Sequence, residues 1–326
     1  MMSRSLFTTL ACLLLSFSLL GLGRAHAQDY PSKVVRLIVG NAPGGSTDVP
    51  SRWITTKLAE VWGRPVIADF RGGAAGAVAN EAVAKALPDG HTLLFISNSF
   101  VLSAIMTPGT SVDPVRDFSP VALVDSAPTL FVVRPSLRIN SMKEWIAYAK
   151  KNPGKLTFGS TGTGGSLHLY GEMLKSMAGI DMLHIPYKGG GPAMNDLLAG
   201  RLDSMFVSMP GAVPHMRTRS IIALGGAAMD RAQALPDLPS IHEQGVTGFD
   251  GGAKHGIVAP ANTPPEIINK LHEGLTRVLN LPETRRAFAD AGLEPMFTTP
   301  AQFAAWIKTE IARWTQVIQA AGIKPE

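Results

Sequence analysis

The residues from Val34 to Asp48 read V-V-R-L-I-V-G-N-A-P-G-G-S-T-D. Five of the first six are apolar and mostly β-branched, the composition of a strand buried on both faces. A proline and two glycines follow, then Ser46, Thr47 and Asp48, then a helical pattern carrying Trp53, Ile54, Leu58 and Ala59. This is a strand, a glycine turn and a helix start. Glycine lets backbone approach a ligand closely, and the free N–H groups and dipole of a helix start favour an anion. A second strand–turn–helix of the same kind spans Leu156 to His168. Two such helix starts predict a protein that holds a carboxylate from two sides.

Outward from Val34, strands and helices alternate, which predicts an α/β fold with parallel sheets. Strands are expected at 34–39, 66–69, 92–96, 121–124, 130–133, 156–158, 183–185, 204–207, 221–225 and 256–259. Helices are expected at 49–62, 77–86, 141–152, 166–178, 191–199, 265–280, 282–291 and 300–321. The run from Val121 to Val133 is long and apolar, broken only by Asp125-Ser126-Ala127-Pro128. Gly251-Gly252 precedes the last strand. Two crossings between lobes follow: 28–124 and 252–326 form a discontinuous first lobe, and 125–251 the second. The ligand cleft is expected between them.

The first 27 residues read as an export leader. Arg4 supplies the positive end, 6–22 is an apolar run, and Ala25-His26-Ala27 is a small-x-small cleavage site, so cleavage is expected after Ala27. About 300 residues then remain, enough for two lobes of ~150 each. Cys12 is the one cysteine and lies in the leader, which excludes disulfide, thiol and cysteine–metal chemistry from the chain beyond it. Net charge is +5 at pH 7, and two of the arginines, Arg4 and Arg24, belong to the leader. With no clustered Lys/Arg run, nucleic-acid binding is not expected.

Other chemistries fail on spacing. Gly40 to Thr47 imitates a phosphate loop, but Ser46 stands where the lysine would be. In the second turn Gly162-x-Gly164 is followed by Leu167, so the dinucleotide fingerprint breaks, and no serine there sits in G-x-S-x-G. No histidine pair has metalloprotease spacing, and neither metal nor cofactor is expected. Carboxylate capture by backbone N–H groups with the hydroxyls of Ser46 and Thr47 is the preferred reading of the first turn. Asp48 is expected to brace that loop. The second turn crowds Ser160, Thr161, Thr163 and Ser166 around free amides, with Ser166 also able to act only as a helix cap. A third glycine turn, Tyr187-Lys-Gly-Gly-Gly-Pro-Ala193, reads equally as a loop or a pocket wall.

Together the motifs resemble the periplasmic solute receptors of tripartite tricarboxylate transporters, the Bug-type binding proteins. The residues that carry the resemblance are Tyr30 to Lys33, Ala42-Pro-Gly-Gly-Ser-Thr-Asp48, Pro88-Asp-Gly-His-Thr-Leu-Leu94, Asp117 to Val121 and Asn152 to Leu156. They continue through Ser160 to His168, Ile185 to Gly189, Leu235 to Ser240 and Ala259 to Pro264. The resemblance implies a two-lobed, type II-like periplasmic-binding-protein fold that closes on a small carboxylate in the cleft. It implies binding by Gly44, Gly45, Ser46 and Thr47 on one side and by Ser160, Thr163, Gly164, Gly165, Ser166 and His168 on the other. Asp203 matches a family aspartate near the cleft.

Three positions depart from the family pattern. Asn41 replaces a bulky residue, Phe70 an asparagine, and Lys254, followed by His255, an aromatic. A lysine near the cleft would favour a second carboxylate through a charge-assisted contact. The expected protein is therefore a monomeric, non-enzymatic periplasmic receptor that passes a di- or polycarboxylate to inner-membrane transporter subunits. Phe70 keeps an aromatic acid open. A sensory receptor for an organic acid and a small-ester hydrolase are the alternatives.

Overall fold

The computed structural model describes residues 30–106, 112–320 and 323. The expected leader lies outside the described residues. The chain divides after Ser32, and the body from Lys33 onward carries both sheets.

The opening stretch folds as read. Strand β1 (Val35–Val39) leads through the glycine turn into helix α1 (Asp48–Trp62). Then come β2 (Val66–Phe70), α2 (Ala77–Ala84), β3 (Thr92–Ile96), α3 (Ser99–Met106) and β4 (Phe118–Ala127). Pro128 alone separates β4 from β5 (Thr129–Val133). Next are α4 (Met142–Lys151), β6 (Thr157–Ser160), α5 (Ser166–Ala178), β7 (Leu183–Pro186), α6 (Gly190–Leu198), β8 (Ser204–Ser208), α7 (Met209–Arg217) and β9 (Ile222–Gly226). The chain ends with β10 (Ala253–Pro260), α8 (Pro265–Asn280), α9 (Pro282–Asp290), β11 (Glu294–Pro295) and α10 (Pro300–Ala320).

Two sheets result. The first has the order β11-β4-β10-β3-β1-β2, the second β7-β6-β8-β5-β9. The expectation of parallel sheets is corrected. β1, β2 and β3 are parallel, as are β6, β7 and β8, but β10 runs antiparallel to β3 and β4, and β5 runs antiparallel to β8 and β9. The cause is the crossing. A chain that enters a sheet directly from another sheet, without a helical return, can arrive in either direction.

Period two sorts the second sheet's side chains. Phe131, Val133, Phe158 and Phe206 face Trp145 of α4 and Tyr170 of α5. Leu130, Val132, Met205 and Val207 face Ala193, Met194 and Leu197 of α6. Both faces of β5 are covered, which is why it reads as an unbroken apolar run.

The last helix divides its loyalty. Phe303 and Ile307 pack with Ile38, Leu94, Ile96 and Val258 of the first sheet. Trp314 and Ile318 pack with Phe131, Trp145 and Tyr170 of the second. Helix α3 behaves likewise: Phe100 and Val101 join the first core, Leu102 and Met106 the second. Helix α10 thus packs on both sheets, its first half on the first and its second half on the second.

Two helices escaped the sequence reading. α3 is apolar on nearly every side, so it has no stripe to mark it. α7 carries Pro210 near its start and Pro214 inside, residues that read as breakers.

Candidate functional site

The turn after β1 is held from within. Gly44 has φ +85°, and its N–H donates to Asp48 Oδ2 at 2.8 Å. The other Asp48 oxygen accepts from Arg52 Nε, and the Arg52 guanidinium lies 4.6 Å from the centre of the Phe70 ring. Asp48 thus braces the loop as expected. Phe70 is a platform for Arg52, which is the role its place at the end of β2 gives it.

What this leaves is a set of unspent donors. Among the described residues, the N–H groups of Gly45, Ser46 and Thr47 make no hydrogen bond. Thr47 stands at the N-cap of α1 but has helical dihedrals, so its hydroxyl does not cap. Its Oγ1 is buried without a hydrogen-bond partner among the described residues. A buried hydroxyl left unsatisfied costs about 1–3 kcal/mol, so this group is poised for an acceptor. Asn41 sits partly exposed where β1 runs into the turn.

The second turn is different. Ser160 is fully buried, and its Oγ accepts from Gly162 N at 3.1 Å and lies 2.7 Å from His184 Nε2. Gly164 N donates to His168 Nδ1 at 3.1 Å, and Gly165 N donates to Gly162 O. Ser166 N, at the head of α5, donates to Ser99 Oγ at 3.1 Å. Ser99 comes from α3, beyond the first sheet. The first amide of this helix start is thus already bonded to a side chain of α3, unlike those of the first turn. Ser160 and His168 brace the turn, and Thr163 is partly exposed on it.

His168 and His184 stack with ring centres 3.9 Å apart. Burial, with help from the His168 and Lys175 charges, pushes the His184 imidazole down to about 3. His184 is therefore neutral at neutral pH. The Ser160–His184 contact is the nearest approach to a nucleophile and base, yet the serine has no exposure to a substrate.

The third turn joins the other two. Ala42 N donates to Lys188 O at 3.3 Å, a direct bond between the turns after β1 and β7. Asn98, 3 % exposed, ties the crossing strands. Its Nδ2 donates to Gly252 O at 2.6 Å, its Oδ1 accepts from Lys254 N at 2.9 Å, and Tyr170 OH donates to Gly252 O. Nothing in the sequence around Asn98 marks this role.

Asp203 and Lys254, two further expected site residues, have partners of their own. Asp203 accepts from Arg134 Nε at 2.8 Å and from Thr157 N at 2.9 Å. Both partners sit at the ends of β5 and β6 remote from the glycine turn, because β6 and β8 run parallel and the turn follows Ser160. Lys254 places its Nζ 5.9 Å from the Trp306 ring centre, on the face that α10 covers. Its neighbour His255 is fully buried, with Nδ1 2.7 Å from Asp125 Oδ1 across β10 and β4. Among the described residues no cluster of three or more His, Cys, Asp or Glu could hold a metal, and no helix is long and apolar enough to cross a membrane.

The family model of the tripartite tricarboxylate transporter family receptor matches residues 51–323. The chain belongs to that family. Its sequence is 34% identical over 300 residues to the protein BugT of Bordetella pertussis (strain Tohama I), covering 91% of this chain and 92% of BugT. Among solved structures, the periplasmic binding protein BugD superposes with a TM-score of 0.88 at 31% identity, covering 91% of this chain and all (100%) of BugD. The R. palustris protein Rpa4515, solved with adipate, gives the same TM-score of 0.88, 31% identity and coverage of 91% and 100%. The fold of this tripartite tricarboxylate transporter receptor is thus the two-lobed α/β fold of periplasmic binding proteins, with its cleft between the sheets. The family is one of solute-binding receptors.

Proposed function

We propose that this chain is a monomeric periplasmic receptor that captures a small dicarboxylate and hands it to inner-membrane transporter subunits. One carboxylate is received by the N–H groups of Gly45, Ser46 and Thr47 and the hydroxyls of Ser46 and Thr47. The observation that carries this is the buried Thr47 hydroxyl, which among the described residues has no partner, beside three amides that make no hydrogen bond there. Asn41 and Thr163 line the entrance, and Gly164, Gly165, Ser166 and His168 form the facing wall. This ligand set leaves aside Asp203, which pairs with Arg134, and Lys254, whose Nζ lies 5.9 Å from the Trp306 ring centre. The preference for two carboxylates draws support from Rpa4515 and its adipate. We read the sheet crossings at Pro128 and Gly251-Gly252 as dividing the body into 33–127 with 252–313 and 129–251 with the end of α10. Closure of these lobes removes the acid from water and presents the closed form to the transporter.

The test is calorimetric titration of the protein with adipate, malate, citrate and their monocarboxylate counterparts, with size exclusion for the monomer. Thr47→Val keeps the shape and removes the hydroxyl. It should weaken binding of the best acid about tenfold, or ~1.4 kcal/mol, with an equal or higher melting temperature for the empty protein. Full affinity in Thr47→Val would place the carboxylate elsewhere. Heat with monocarboxylates alone would keep the receptor and reject the dicarboxylate.

A further inference from the structure

The third glycine turn has no backbone reason for its glycines. Gly189 is extended, with φ 162°, and Gly190 and Gly191 begin α6 without positive φ. In a helical first turn alanine is the better helix former, because glycine gives up more chain entropy on folding. The turn also carries no unpartnered buried polar side chain.

What the glycines meet is the other lobe. A Cβ on Gly191 would stand 2.5 Å from Pro43 O. One on Gly189 would stand 2.8 Å from Ala42 N and 2.9 Å from Ala42 Cβ. From the facing side, a Cβ on Gly72 would lie 2.8 Å from Lys188 O. Each obstacle is backbone or a short side chain, which cannot swing aside as a long flexible one can. The bond from Ala42 N to Lys188 O lies in the middle of this contact.

We infer that Gly189 and Gly191 are closure residues. They are glycine so that the turn after β7 can rest its backbone on Ala42–Gly44 when the lobes come together. The inference rests on lobe closure in the proposed function, and adds which residues permit it. In an open form the same positions would accept alanine freely. Alanine at 191 is therefore expected to act with opposite signs, favouring the helix and obstructing the closed state.

A cysteine pair reads closure without any ligand. Ser99 of α3 and Ser166 of α5 are buried with hydroxyl oxygens 3.3 Å apart. The full chain carrying Ser99→Cys and Ser166→Cys, with Cys12→Ser removing the native thiol, is oxidised with and without adipate or malate. Adding Gly191→Ala should slow bridge formation at least tenfold and leave the melting temperature equal or higher. Gly189→Ala should also slow it. Bridging at the parent rate would overturn the inference. So would a melting temperature well below the parent's, because the contact would then belong to a permanent core. If Gly191→Ala slows bridging while calorimetry of the chain without cysteine substitutions finds no binding of either acid, closure by these glycines stands and the carboxylate reading falls.

Discussion

Ser160 and His184 show how much of this site is scaffolding. The serine hydroxyl holds the turn at Gly162, and the histidine holds the serine. Because burial lowers the His184 imidazole from 6.5 to about 3, the unfolded chain takes up a proton as pH falls through 6.5 and the folded protein does not follow until near 3. Stability is therefore lost as pH drops across that window, with a ceiling of about 1.4 kcal/mol per unit. The ring is only partly buried, so solvent screening trims the ceiling. Between pH 6.5 and 4.5 the parent should lose ~1–2 kcal/mol more than His184→Gln in urea unfolding. Equal losses would mean that His184 charges at no cost in the folded protein. At this scale the sequence was readable for Asp48 and for the Gly44–Thr47 turn, whose partners lie within a few residues. It was silent on Ser99 and Asn98, whose partners lie 67 and 154 residues away. The nearness of Lys254 to Trp306 was not legible either, because a strand position does not say which face its side chain takes.

Among the elements, α10 connects most. Trp314 is fully buried, stacks on Tyr170 with ring centres 5.6 Å apart, and donates its Nε1–H to Glu310. Cutting such a side chain to alanine leaves a cavity that its neighbours refill only in part. Trp314→Ala should cost ~3–5 kcal/mol in urea unfolding. A loss below about 1 kcal/mol would show that this half of α10 merely rests on the second core. Element types and order were legible wherever the apolar pattern had a clear period: α5 and α8 begin and end where the pattern predicts. α3 lacks a polar face and α7 contains Pro214, so neither announces itself. Strand direction was illegible for a simple reason. β4 passes into β5 through one proline, and alternation of strand with helix says nothing about a strand that skips its helix.

The body from Lys33 onward is two sheets joined by antiparallel strands, with the turn after β7 resting backbone on backbone against the turn after β1. The crossings could be read from the break at Asp125–Pro128 and from Gly251-Gly252. Which turns touch could not, since that depends on two lobes meeting in space. The shared final helix has a consequence for the order in which the protein is made. Every strand of the second sheet is complete by Gly226, yet its core lacks Trp314 and Ile318. The first sheet waits for Phe303 and Ile307. On the ribosome, therefore, neither core can be finished until the last turns of the message are read, and the growing chain stays threadable through nearly all of its synthesis. Nascent chains arrested before Pro300 should be cleaved readily by protease, and released full-length chains should resist. Protection of the arrested chains would show that a sheet can settle without its last helix.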